Sequence, residues 1–150
     1  MRPSATLTAI YTQRLIAPHP LRHLDRTEWD AAQIRIDETF CRLCRLFVRN
    51  DGQALDIVAL CRRLGEIVAL LRRRFGDEEL LLETEAPQQL SVHRGHHRAI
   101  FEALRSFRNS IKTPASLDER FDAAHELRLL VTTHFSWDDS IYRELLTVRA

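Results

Sequence analysis

Apolar positions recur at steps of three and four residues along most of the chain, the spacing of a helix with one buried face. Ile36, Phe40, Leu43, Cys44 and Phe47 form the first stripe, and Asn50-Asp51-Gly52 supplies a stop and a turn after it. Thr27 with Asp30 three positions on is a relative of the capping box, so the first helix is expected to start there. A second helix is expected from about residue 53, with Ile57, Leu60, Cys61, Leu64, Ile67, Val68, Leu71, Phe75 and Leu82 facing inward and an end before Pro87. The third stripe reads Leu90, His93, His97, Ile100, Leu104, Phe107 and Ile111, with two histidines where leucines belong. After a connector at Lys112-Thr113-Pro114-Ala115, Ser116 and Glu119 make a capping box. It opens a fourth helix, whose stripe includes Ala124, Leu127, Val131, His134, Ile141, Leu145 and Val148.

Four amphipathic segments on short connections predict an all-α fold, an up-down-up-down antiparallel four-helix bundle, because short loops make successive helices antiparallel neighbours. The bundle is expected over residues 27–150, behind an irregular N-terminal arm at residues 1–26 that holds Pro3, Pro18 and Pro20.

Composition narrows the partners. A chain of 150 residues with 45% hydrophobic content builds one core. Lys and Arg number 22 against 21 Asp and Glu, which lacks the excess that tracks phosphates, so no nucleic-acid partner is expected. No apolar run has membrane-spanning length, so no membrane partner is expected either. The odd cysteine set, Cys41, Cys44 and Cys61, does not read as a disulfide framework, and the first residues lack the apolar run and cleavage site of a secretory signal. A reduced, cytoplasmic setting is the expectation.

The chemistry lies in polar residues on inward stripes. An unpaired polar group there costs several kcal/mol, of order 2–7 by transfer measures. Arg74, Glu78, His93, His97 and His134 all fall on such stripes. His93 and His97 are one turn apart on one face, about 6 Å along the axis, a spacing at which two imidazoles can bind one ion. Antiparallel packing can bring Glu78 and His134 to the same level, and a metal ion would give all four a common partner.

These residues resemble the hemerythrin family, four-helix bundles with a non-haem di-iron centre that in many members binds dioxygen reversibly. The likeness runs over residues 34–146 by helix order and motif spacing. Arg74-Phe75-Gly76-Asp77-Glu78-Glu79 is similar to the family's H-F-x-x-E-E, with Glu78 at the bridging carboxylate and Arg74 in place of histidine. His93-Arg94-Gly95-His96-His97 keeps the H-x-x-x-H pair, and His134-Phe135-Ser136-Trp137-Asp138-Asp139 keeps the last motif, followed by Tyr142. Ile36-Asp37-Glu38-Thr39-Phe40 places Phe40 where the first-helix histidine stands in the family.

The resemblance implies one complete terminal set, His93, His97 and His134, with Glu78 and Asp139 completing the shell of one iron ion rather than two. Arg74 would then supply the charge of the second ion and Phe40 its volume. Asp138 is better aligned with His134 on an ideal helix than Asp139, which the family pattern favours. Cys44, His19 and His23 are further candidates for the missing ligands, whereas Cys61 is too far along its helix to reach. Glu79, Ser136, Trp137 and Tyr142 read as residues that either support the ligands from behind or pack, with packing favoured, and His96 and His125 as facing outward or toward helix edges. The implied function is metal binding with a small diatomic ligand, dioxygen or nitric oxide, or redox sensing. The alternative is a metal-free bundle serving as an interaction or regulatory module with an unidentified protein partner. A mononuclear iron enzyme ranks third, because no separate acid, base or substrate pocket is legible.

Overall fold

The computed structural model describes residues 26–48 and 54–147, and within the last helix the side chains up to Ser136 and that of Tyr142. The expected N-terminal arm and the Asn50-Asp51-Gly52 turn lie outside the described residues. So do the side chains of Ile141 and Leu145, and Val148. Among the described residues there are four α-helices: α1 (Arg26–Arg45), α2 (Ile57–Glu85), α3 (Leu90–Ser110) and α4 (Leu117–Thr147). Helix α1 packs against α2 and α4, α2 against α3, and α3 against α4, the ring of neighbours of a four-helix bundle. Among the described residues no helix is long and apolar enough to cross a membrane.

Element ends differ from the expectation for local reasons. Thr27 lies inside α1 rather than capping it. The helix closes at Arg45 because the chain tightens there: the N–H groups of Leu46, Phe47 and Val48 donate to the carbonyls of Leu43, Cys44 and Arg45, three residues back. That turn tucks Phe47 into the core. Helix α2 begins at Ile57, not near residue 53, because the Asp56 side chain accepts the Ala59 N–H at 2.9 Å and sets the first turn. Ile57 and Cys61, both expected inside, are exposed. Ile57 is the first residue of α2, and Cys61 is rotated about 100° from buried Leu60.

Pro87 opens a single 3-10 turn, Pro87–Gln89, which carries the chain into α3. The capping box of α4 forms as expected, the Glu119 N–H donating to Ser116 Oγ and the Ser116 N–H donating to Glu119 Oε2.

Among the described residues the interior has two apolar parts. The larger gathers Ile36, Phe40, Leu43, Leu60, Leu71, Phe75, Ile100, Leu104, Val131 and Phe135 among others. The smaller holds Trp29, Leu81, Leu82, Ala86 and Tyr142. Between them lie the buried polar residues Arg74, Glu78, His93, His97 and His134. Outside the core, Arg128 on α4 makes a two-pronged contact with Asp37 on α1 at 2.7 and 3.1 Å, which pins those two helices in register.

Candidate metal centre

The inward stripe of α2 continues past Leu71 through Arg74, Phe75 and Glu78, so a carboxylate is carried into the interior one turn after a guanidinium. Glu78 is fully buried. From α3 come His93 and His97, and from α4 His134, and their three Nε2 atoms meet one carboxylate oxygen. Glu78 Oε2 lies 2.9 Å from His97, 3.0 Å from His93 and 3.3 Å from His134. One ligand atom from each of the four residues lies within 4.8 Å of every other. The convergence expected of Glu78, His93, His97 and His134 is therefore present.

The protons in this group are informative. A neutral imidazole has one N–H. His97 places Nδ1 2.8 Å from Glu79 Oε1 as well as Nε2 2.9 Å from Glu78 Oε2. If the proton is on Nδ1, Nε2 presents a lone pair to a carboxylate oxygen, which is repulsive unless a cation lies between them. Carboxylate, imidazole and inward lone pair in line is the arrangement that orients a metal-binding histidine. Arg94 in turn donates to the other oxygen of Glu79 at 2.9 Å. Phe75 lies flat on His97, with centroids 3.8 Å apart and planes 6° from parallel, and fixes the ring further.

Arg74 is interior. Its Nε donates to Glu78 Oε1 at 2.7 Å, its Nη1 to the Trp29 carbonyl at 3.0 Å, and its guanidinium stands 3.5 Å over the Trp29 ring. Only 4% of it is exposed, so it does not reach out to solvent. One carboxylate oxygen thus faces a permanent cation and the other faces three imidazoles. Burial pushes the Glu78 carboxyl up, but hydrogen bonds from His134, His93 and His97, with the Arg74 charge, override that and hold it well below the usual range. Burial lowers Arg74, opposed by the same carboxylate. Glu79 is pushed up by partial burial and, more strongly, pulled below its ordinary value by His97 and Arg94.

The other candidates divide. Phe40 is buried in the larger apolar cluster and fills space on α1. Cys44 belongs to that cluster and not to the polar group, and burial pushes its thiol up. Cys61 is exposed. His96 is half-buried at the helix edge, and His125, also half-buried, stacks on Phe121. Ser136 is exposed and donates to the Thr132 carbonyl, away from the cluster. The side chains of Trp137, Asp138 and Asp139, and all of His19 and His23, lie outside the described residues.

For two residues the polar alternative holds over the favoured packing one. Glu79 is the partner of His97, and the Tyr142 hydroxyl lies 2.7 Å from His93 Nε2, so both have polar roles at the centre. Trp29 was not singled out by its sequence context, yet its carbonyl and ring hold Arg74. It lies seven residues before Ile36, on the same stripe, which was the available signal. A comparison of the chain with protein-family models, with curated proteins and with solved structures finds no match.

Proposed function

We propose that this chain is a hemerythrin-like protein that binds one non-haem metal ion, iron, through Glu78, His93, His97 and His134. The observation that carries this reading is the pair of carboxylates on His97, one at each ring nitrogen, at the point where three Nε2 atoms surround a single oxygen. With neutral imidazoles His97 is one proton short of serving both carboxylates; a second proton on its ring would supply it, and so would a cation bound among the Nε2 atoms. The residues fit the group: three imidazoles and a carboxylate, all buried, suit a divalent first-row metal. The family likeness adds Asp139 as a further ligand and names iron.

Arg74 takes the place of a second ion. It neutralises Glu78 Oε1 permanently, and with Phe40 filling the volume opposite on α1 the centre holds one ion, not two. Iron bound there would supply a coordination position for a small ligand and a one-electron couple, which suits nitric oxide or dioxygen binding or redox sensing. The protein's own part is to orient His97 through Glu79 and Phe75, to fix Glu78 through Arg74, and to exclude bulk water with the two apolar clusters. A cytoplasmic setting suits the three free cysteines.

A second reading is favoured by the Arg74–Glu78 contact itself, because a buried ion pair can keep a polar network without metal. The bundle would then be a metal-free interaction module. Protein purified without chelator or affinity metal separates the two readings, through its metal content and its visible spectra under reducing and aerobic conditions. Bound iron whose spectrum changes with oxidation is expected; no bound ion, with stability unchanged in His93→Ala, would leave the module.

A further inference from the structure

Helices α2 and α3 leave a groove of about 690 Å³ along their outer edge. Leu64, Val68, Phe101 and Leu104 form its floor, and Phe101 also packs edge-on against Phe75 with centroids 5.6 Å apart. Gly65 lines the same groove, and a Cβ built there meets nothing within 4 Å. A glycine inside a helix costs stability relative to alanine, so α2 carries a destabilising residue at a point where any side chain would enter the open space.

The rim is basic. Arg72 of α2 with Arg105 and Arg108 of α3 line the groove, and no acidic residue does. All three are exposed, and among the described residues none of them forms an ion pair. The antiparallel packing that sets Phe75 against His97 and Phe101 brings Arg72 level with Arg105, so two guanidinium groups stand at one end of the groove. From there Val68, Gly65 and Leu64 continue about 10 Å along α2 toward Cys61, with no further charge from that helix in the lining.

We propose that this groove binds a free fatty acid, its carboxylate held by Arg72 and Arg105 and its acyl chain laid over Leu64, Val68, Phe101 and Leu104. The apolar floor alone would accept any oily body, but three unpaired cations and no anion select a negative head, and a guanidinium matches a carboxylate in shape as well as charge. The volume falls within the range of sites for one small molecule, about 300–1,000 Å³. Residues 1–24 of the chain do not complement the groove, since they carry Arg2, Arg14 and Arg22 and no acidic residue. The groove is separate from the metal centre, and neither reading needs the other.

The test titrates the full chain, stripped of lipid, with octanoate, decanoate and dodecanoate below their micelle concentrations, and with dodecyltrimethylammonium as the cationic counterpart. Calorimetry should show one dodecanoate per chain, each methylene gained along the series tightening binding by up to about fourfold. The cation should bind roughly tenfold more weakly or worse. Gly65→Phe should lose dodecanoate while melting no lower than wild type, and Arg72→Ala with Arg105→Ala should weaken it roughly threefold or more with the same increment per methylene. Cys61 is exposed and lines the groove, so bound dodecanoate should slow its alkylation by iodoacetamide and leave that of Cys41 unchanged, as peptide mass mapping reads. No saturable dodecanoate binding, equal binding of the cation, or alkylation of Cys61 unaffected at saturation overturns the site. So does a dimer in sedimentation that Gly65→Phe dissociates while wild type takes up no dodecanoate, which would make the groove a face between two copies. Should Gly65→Phe not fold, protection of Cys61 in wild type decides alone.

Discussion

Replacing Arg74 by methionine keeps most of the side-chain volume and removes the charge that faces Glu78. Three contacts go with it: the 2.7 Å bond to Glu78 Oε1, the 3.0 Å bond to the Trp29 carbonyl, and the stacking over the Trp29 ring at 3.5 Å. Glu78 is fully buried, so the loss leaves a carboxylate balanced only by imidazoles. Breaking a buried pair by deleting one partner costs about 3–5 kcal/mol. For a chain of this length each kcal/mol moves the melting temperature by about 2–4 °C, so metal-free Arg74→Met should melt roughly 6–20 °C below wild type. Metal should act in the opposite direction. The variant site is one charge more negative, so a divalent ion should bind it more tightly and restore more stability than it gives wild type, in proportion to the logarithm of the ratio of free metal to Kd. Thermal and urea melts followed by circular dichroism, in chelator and in excess metal, measure both effects. A metal-free variant within about 0.5 kcal/mol of wild type would refute Arg74 as the charge that holds Glu78, and equal metal stabilisation of the two proteins would refute the substitution of a guanidinium for an ion.

Other outcomes follow from the same geometry. Glu79→Gln loses the charge that holds His97 Nδ1 and should weaken metal binding roughly 10–100-fold, with less than about 1 kcal/mol lost from the partly exposed pair with Arg94; unchanged affinity in a metal titration would contradict the orienting role. Phe40→His combined with Arg74→His should raise bound iron from one ion per chain toward two, whereas Arg74→His alone should not, and iron analysis of the two variants decides it. Because the folded carboxyl of Glu78 is held low, its stabilising contribution in the metal-free protein is complete above the ordinary glutamate range, about 4.3, and is lost as pH falls through the depressed folded value. Glu78→Gln should therefore flatten the acid limb of stability against pH, and melts at a series of acidic pH values with the same slope in both proteins would count against it.

The four helices were legible because apolar residues at steps of three and four leave little choice of period, and the buried polar group was legible because polar residues interrupt those stripes. His93 and His97 fall where Leu or Ile would be expected, as do Arg74 and Glu78, and all four are buried. Ends were harder to place. Asp56 caps α2 with no acidic or amide residue three positions on to mark a box, and α1 stops on a tightened turn at Leu46–Val48 rather than on a glycine. A periodic pattern names a face and not a partner, which is why Glu79 and Tyr142 read as packing although each touches an imidazole nitrogen. The same limit hid Trp29, whose contribution to Arg74 comes partly from its backbone carbonyl, a group that no side-chain pattern reports.

The central claim is that one cation belongs among Glu78, His93, His97 and His134, and its most direct test is the number of ferrous ions bound at saturation under anaerobic conditions, by calorimetric titration of the chelator-treated chain. The account predicts a single equivalent for wild type, abolished in His97→Ala. Saturation at two equivalents would mean that Arg74 does not stand in for an ion, and no uptake at all would contradict the metal centre itself.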